Sequence, residues 1–388
     1  MRSTKETFSK LPLNLYDYEV PHKKQISDRF LITLRENIAA EKQALQSIMT
    51  ISQLSRRDFL KLSASGVLGL ALSELGIDRA LAAPPASQGL ALWSGVPIQS
   101  SPSFSAPKIE LLGKDKVFNL LGEVQGESKD NPYNTTWYQV EGGYVHSAVV
   151  MPVETKYQKA VYEIPAEGKL AEVCVPVSLT YMAPFINAKN AHRIYYETTH
   201  WIQKVHVNRQ EKSVWYEIYD KILKESFYIP SYNLRIIPDE ELTQLSPEVP
   251  NEEKLLHVDL ATQMVTAFEG EKIVMSARCA SGQRGSDTPV GEWTTYHKGP
   301  SIHMTNFGDA VANIYSLPGV PWVSFFTGSG HAFHGTYWHN DYGHPRSNGC
   351  VNLPSSVSKW VYRWTSPVVP PNIDYVNLPG QGTRVQVV

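Results

Sequence analysis

The chain has 388 residues, 42% of them hydrophobic and 19% charged, with a formal net charge of −2 and a pI of ≈ 6.6. That length accommodates two or three domains, the composition excludes wholesale disorder, and without a basic excess nucleic acid is excluded as the main partner. The three cysteines, Cys174, Cys279 and Cys350, are too few for a disulfide framework; Cys174 and Cys279 either pair in an oxidising compartment or sit as small buried apolar residues.

Ser55-Arg56-Arg57-Asp58-Phe59-Leu60-Lys61 leads into the moderately apolar run Leu62–Leu72 and a small-residue end at Ala80-Leu81-Ala82-Ala83. A basic start, an apolar middle and a small-residue cleavage site form the three-part export pattern. Over 49–82 it resembles a twin-arginine signal peptide. The resemblance implies a precursor handed to the twin-arginine export machinery and a mature protein in the periplasm or cell wall. The apolar run is short and diluted by Gly and Ser, so no stable membrane span is expected in the mature form. Residues 1–48 are either an upstream extension before a start at Met49 or a long n-region with a helix around Asp28–Ile48. Residues 83–107, rich in Pro, Ser, Gly and Ala, are expected to form a linker.

Two later segments look alike. Trp137-Tyr138-Gln139-Val140 passes through Gly142-Gly143 to Tyr144-Val145-His146 and Val149–Val153; Trp215–Tyr219 passes to Glu225–Pro230 and Leu234–Ile237. Each predicts strand, tight turn, strand and a short exit, with aromatic and polar residues alternating. Both resemble bacterial SH3-like barrels, which implies small β-barrel modules over 108–155 and 156–240 that touch cell-wall peptide or glycan; packing of the aromatics in ordinary sheet cores is the competing expectation. On this reading, removing 83–240 would weaken binding to intact wall but leave the chemistry on soluble fragments unchanged.

The proline-bearing, charged stretch Pro238–Asn251 marks a boundary, and a mostly β domain follows over 252–388. Leu256, Val258 and Leu260 alternate with His257 and Asp259 as in a half-buried strand. Strands are predicted at Met264–Phe268, Ile273–Cys279 and Trp293–Tyr296, around a Gly-rich loop at Ser281–Gly291. Pro354–Trp364 predicts a short helix, with Ser355 as N-cap and Val357, Trp360, Val361 and Trp364 on one face. Thr383–Val388 predicts a closing strand.

The chemistry-bearing segment is Arg346-Ser347-Asn348-Gly349-Cys350-Val351-Asn352, with His334-Gly335-Thr336 sixteen positions upstream of the cysteine. A thiol is mostly protonated at neutral pH, and an imidazole that takes its proton makes it a nucleophile for acyl transfer. With no acidic residue standing out nearby, a backbone carbonyl is the expected orienter of His334. The turn at Asn348-Gly349-Cys350 offers peptide N–H donors for an oxyanion.

His334-Gly335-Thr336 followed by Ser347-Asn348-Gly349-Cys350-Val351-Asn352-Leu353 resembles the signature of the L,D-transpeptidases, the YkuD-type catalytic domain. Supporting matches are Val258–Gln263, Thr288–Gly291, Met304 and Val320-Pro321-Trp322. The resemblance implies a β-sandwich-like domain with one or two short helices that acts on peptidoglycan stem peptides. By resemblance, Cys350 attacks the carbonyl of the diamino acid at stem position three, D-alanine leaves, and an amine of a neighbouring stem resolves the thioester as a 3→3 cross-link. His334 would be the base and Gly335 its orienter; the N–H groups of Gly349 and Cys350 would form the oxyanion hole; Ser347 and Asn352 would brace the loop. Asn348 stands where many members carry histidine, which bears on substrate contact.

Met304, Tyr337, Trp338, Arg346 and His344 are candidate substrate contacts, Arg346 through the acidic stem peptide. His331 and His334 are close enough in sequence for zinc, but no acidic ligand accompanies them, so neither metal nor cofactor is expected. Water as acceptor would make the same site an L,D-carboxypeptidase, and an idle site would leave a non-catalytic peptidoglycan-binding wall protein.

Overall fold

The computed structural model describes residues 87–305 and 315–388. The expected export signal over 49–82 and the segment 1–48 lie outside the described residues.

The first module contains β1 (Gln88–Ala91), β2 (Val96–Gln99), β3 (Lys108–Leu112), β4 (Val117–Asn119), β5 (Gly122–Gln125), β6 (Thr136–Val140), β7 (Gly143–His146) and β8 (Val150–Val153). They form two sheets, ordered β4-β1-β8 and β3-β2-β7-β6-β5. Part of the expected linker is therefore structured. Leu90, Ala91, Val96 and Ile98 are buried, and the last three pack with Tyr138, Val140, Val145 and Val150. Pro97 reads as a breaker in sequence. It is tolerated because β2 pairs along β3 while its ladder to β7 is confined to Gln99–Tyr144, so the missing N–H interrupts little. The module begins near residue 88, and the Pro/Ser-rich bends are confined to 100–107.

The second module contains β9 (Lys169–Val173), β10 (Val177–Tyr181), β11 (Asn190–Tyr195), β12 (Thr199–Asn208), β13 (Ser213–Asp220), β14 (Glu225–Pro230) and β15 (Leu234–Ile236), in one sheet ordered β11-β10-β14-β13-β12-β9-β15. The internal likeness has a structural counterpart. Each module ends in a hairpin, β6–β7 or β13–β14, then one 3-10 turn, Ser147–Val149 or Ser231–Asn233, then a strand. Trp137 and Trp215 are buried in both, so these aromatics serve the cores.

The C-terminal region contains β16 (Lys254–Asp259), β17 (Met264–Glu269), β18 (Lys272–Arg278), β19 (Gly291–Thr294), β20 (His297–Thr305), β21 (Ser316–Phe325), β22 (Ala332–Gly335), β23 (Val351–Leu353), α1 (Ser355–Trp364), β24 (Val376–Asn377) and β25 (Arg384–Val387). Two five-stranded sheets, β18-β17-β16-β25-β19 and β23-β22-β21-β20-β24, enclose a core of Leu256, Val258, Val265, Phe326, Phe333, Val351, Leu353, Val385 and Val387. The α1 residues Val357, Val361 and Trp364 join the same core. The N-cap is Pro354, whose extended backbone makes Ser355 the first helical residue, and no side chain caps that end. At the other end the buried Lys298 Nζ donates to the carbonyls of Tyr362 (2.7 Å) and Thr365 (2.6 Å), satisfying carbonyls that the last helical turn leaves open.

The modules are not separable beads. Leu170, Ile237 and Leu242 share one buried cluster with Trp322, Tyr362 and Val369, so the second module completes a core of the C-terminal region.

Candidate active site

The site is built where β22 meets β23. These strands run parallel, with Phe333 opposite Val351, His334 opposite Asn352 and Gly335 opposite Leu353. Side chains alternate along a strand, so His334 and Asn352 share a face with Cys350, which stands two residues before Asn352. Phe333, Val351 and Leu353 point the other way, into the core. Sixteen residues of chain thus fold back to bring thiol and imidazole to one face. Independent contacts agree: Cys350 and Trp338 pack against one cluster with Ala332 and Val320, and the Trp338 ring centroid is 5.7 Å from that of His334.

His334 is buried, and its Nδ1–H donates to the Gly335 carbonyl at 3.0 Å. The proton is thereby held on Nδ1, leaving Nε2 as the basic nitrogen. Burial pushes the His334 pKa down to about 4 against the opposing pull of the Gly335 carbonyl. The Cys350 thiol is pushed by burial up to about 11, opposed by a hydrogen bond from the Ala332 backbone. Over the whole range between those values the resting pair is a neutral thiol and a neutral imidazole. The thiol's own hydrogen bond reaches the Gly330 carbonyl at 3.8 Å.

The turn before Cys350 is fixed by its own side chains. Ser347 Oγ donates to the Cys350 carbonyl (2.5 Å) and accepts from Gly349 N–H (3.0 Å). This corrects one expectation: the Gly349 N–H is committed to Ser347 and is not an open oxyanion donor. Gly349 has φ +113°, and a Cβ there would lie 2.7 Å from the His331 ring, so both backbone and space demand glycine. The Gly349 carbonyl accepts from Thr288 Oγ1 (2.8 Å). The Gly-rich loop supports the turn through bridges from Ala280 to Asn352 and from Gly282 to Ser347.

Asn352 braces a further histidine. Its side-chain amide lies 2.9 Å from His339 Nε2, while Asp341 N–H donates to His339 Nδ1 (3.3 Å). A neutral imidazole carries one proton, so with Nδ1 accepting, Nε2–H is the donor, which requires the Asn352 amide to be turned so that its oxygen takes the position of Nδ2. Burial, aided by the Arg346 charge, lowers the His339 pKa to about 3.

The remaining predicted contacts divide. Met304 packs in the cluster that holds Cys350, Trp338 is half-buried beside His334, and Asn348 is exposed. His344 is half-buried in the connecting loop. Tyr337 does not line a groove: it is buried and stacks on Tyr195 of the second module with centroids 5.4 Å apart. Arg346 is already engaged, Nη1 donating to Asp341 Oδ2 at 2.8 Å, rather than presented to an acidic peptide. His331 is tied through Nδ1 to Thr327 Oγ1 (2.8 Å) and Ser329 Oγ (3.1 Å). Among the described residues no group of three or more His, Cys, Asp or Glu side chains is placed to hold a metal ion, and no helix is long and apolar enough to cross a membrane. Cys174 and Cys279 are buried free thiols.

Sequence reasoning missed Asp341. Its carboxylate is buried and accepts from Asn131 Nδ2 (2.8 Å), Asn134 Nδ2 (3.1 Å) and Arg346. Burial alone would raise its pKa, but those three donors outweigh it and hold the carboxyl below its ordinary value. No local signal marks Asn131 or Asn134, which come from the first module.

Residues 253–387 match the family model of YkuD, the L,D-transpeptidase catalytic domain. Among solved structures, the chain is similar to an Enterococcus faecium L,D-transpeptidase at 21% identity, covering 35% of this chain and 50% of that one with a TM-score of 0.28. It spans only half the length of that protein. An L,D-transpeptidase from Mycobacterium smegmatis matches at 16% identity, covering 48% and 81% of the two chains with a TM-score of 0.29. The catalytic domain of the E. faecium L,D-transpeptidase matches at 24% identity, covering 35% and 98% with a TM-score of 0.29. Among curated proteins there is no match.

Proposed function

We propose that the protein is an exported peptidoglycan L,D-transpeptidase that works through a Cys350 thioester. The observation that carries this reading is the parallel pairing of β22 with β23, which sets Cys350 and His334 on one face, with His334 Nδ1 occupied by Gly335 so that Nε2 is free to accept a proton.

The neutral resting pair favours proton transfer during attack over a preformed ion pair. The Cys350 S–H turns from Gly330 toward His334 and passes its proton to Nε2 as sulfur bonds to the stem-peptide carbonyl carbon. The Cys350 N–H is the donor at this turn that faces the developing oxyanion, since Gly349 N–H is spent on Ser347. Collapse breaks the C–N bond, and His334 returns its proton to the departing D-alanine amine. A neighbouring stem's amine then attacks the thioester, giving its proton to His334, and the restored thiol takes that proton. In this reading the 49–82 segment directs twin-arginine export, and the two modules are SH3-like elements that hold the enzyme to the wall.

The test is incubation of the exported protein with disaccharide-tetrapeptide, with products identified by mass. The reading expects release of D-alanine and a 3→3-linked dimer, both lost in Cys350→Ser. Tripeptide without dimer would make water the acceptor and the protein an L,D-carboxypeptidase. No turnover, with no thioester adduct on Cys350, would refute the enzyme.

A further inference from the structure

The loop that joins the histidine strand to the cysteine turn, 336–346, is gripped by the first module. Asn131 Nδ2 donates both to Asp341 Oδ1 (2.8 Å) and to the Tyr342 carbonyl (2.9 Å). Asn134 Nδ2 donates to Asp341 Oδ1 (3.1 Å). Both amides are oriented: Asn131 Oδ1 accepts from Tyr133 N–H (3.1 Å), and Asn134 Oδ1 accepts from Ser147 Oγ (2.7 Å). Asn340 Nδ2 donates to the Val150 carbonyl (3.2 Å). Tyr133 lies under the Arg278 guanidinium at 3.8 Å, and its Cβ would be 3.0 Å from a side chain at Gly343. Asn131, Asn134 and Asp341 are all buried.

The grip is continuous with the site. From Asp341 the hydrogen bonds pass through its own N–H to His339 Nδ1, from His339 Nε2 to Asn352, and Asn352 is the register partner of His334, two residues beyond Cys350. Within the loop, Tyr342 OH donates to Thr336 Oγ1 (2.7 Å), and Thr336 Oγ1 donates to the His339 carbonyl (3.3 Å). Asp341 also anchors Arg346, whose N–H donates to the Ser281 carbonyl (2.9 Å) at the start of the Gly-rich loop. Losing one donor here leaves a buried carboxylate short of a partner, the case in which buried networks are most sensitive.

We propose that the first module is part of the acyl-transfer machinery, with Asn131 as a positioning residue that holds the cysteine turn through Asp341, His339 and Asn352. This rests on the reading of Cys350 as the nucleophile. It replaces the expectation that the N-terminal modules serve only to hold the wall.

The test uses the exported protein and two reagents for Cys350. A carbapenem acylates a thiol through a carbonyl and needs the base and the oxyanion donor; iodoacetamide alkylates it and needs no oxyanion donor. Asn131→Ala, and the isosteric Asn131→Asp, which replaces the donor by an acceptor facing Asp341, are expected to slow carbapenem acylation about 10- to 100-fold while changing alkylation less than about threefold. The variants are compared at temperatures where near-ultraviolet circular dichroism shows each to be folded. Acylation within about threefold of the unaltered protein in both variants would overturn the proposal. So would acylation and alkylation changing in parallel, which would mean altered exposure of the sulfur. Failure of the unaltered protein to be acylated at all would instead refute the nucleophile assignment on which the proposal rests.

Discussion

The His334 ring donates from Nδ1 to the carbonyl oxygen of the next residue, Gly335, at 3.0 Å. A strand residue thus orients its own neighbour's ring, and no acidic third partner is required. The assignment predicts that His334→Ala slows acylation of Cys350 by about two to four orders of magnitude, measured by mass after single turnover. His334→Gln, which removes the basic nitrogen, should be no better. A rate near that of the unaltered protein would move the base elsewhere.

The pH profile distinguishes the neutral pair from an ion pair. His334 titrates down near 4 and Cys350 up near 11. The base form is therefore present at all but strongly acid pH. The acylation rate should rise through pH 4–5 and then stay level to pH 9, where a free histidine would give a midpoint near 6.5. A bell centred near neutrality would contradict the neutral resting state.

Gly349→Ala tests the turn. Its φ of +113° and the 2.7 Å approach to the His331 ring impose both backbone strain and a clash. The variant should lose about 1–3 kcal/mol of stability in urea unfolding, and acylation should fall at least tenfold. Gly349→Ala with His331→Ala should recover only part of this, because the clash is relieved while the backbone strain remains. Full recovery would show that space alone matters.

Acid should destabilise the fold through its buried histidines, against an opposite contribution from Glu197, whose carboxyl burial pushes up to about 7. His200, His334 and His339 are buried and neutral, with pKa values lowered chiefly by burial to about 4, 4 and 3. Between those values and the ordinary 6.5 the unfolded chain binds protons that the folded one does not, so the histidine contribution is complete above pH 6.5 and is lost as pH falls toward 4. Each group contributes up to ~1.4 kcal/mol per pH unit in that window. Urea midpoints at pH 7 and pH 5 should differ accordingly, and equal midpoints would mean that the rings are solvated.

Expression of 252–388 alone should give a domain with a lower melting temperature than the exported protein, because Trp322, Tyr362 and Val369 lose the cover of Leu170, Ile237 and Leu242. Its Cys350 acylation should also be slower, since the Asn131 and Asn134 donors to Asp341 are gone. Unchanged melting would show that the shared cluster contributes little.

What could be read from the chain was local. Alternation at Leu256 and Val258 and the apolar face of Val357, Val361 and Trp364 each follow from a period of two or 3.6 residues, and each became an element of the fold; the expected half-buried strand is instead buried on both faces and ends before Leu260. Cys350, His334 and Gly335 were legible because reactive residue types stand beside glycines at short spacing. The long β20–β21 hairpin was not, since prolines at Pro300, Pro318 and Pro321 interrupt its pattern. Pro97 likewise hid β2 in what looked like a linker.

The sequence by itself singled out Cys350 and His334 as candidates for nucleophile and base, together with the glycine of the turn beside the thiol, because those depend on residue chemistry and near neighbours. Only the tertiary structure decided which donors remain open at that turn, that Arg346 is spent on Asp341, and that Asn131 reaches Asp341 across 210 positions. Hydrogen-bond partners and desolvation are set by what the folded chain brings together, and no periodicity within a segment encodes a partner so far away along the chain.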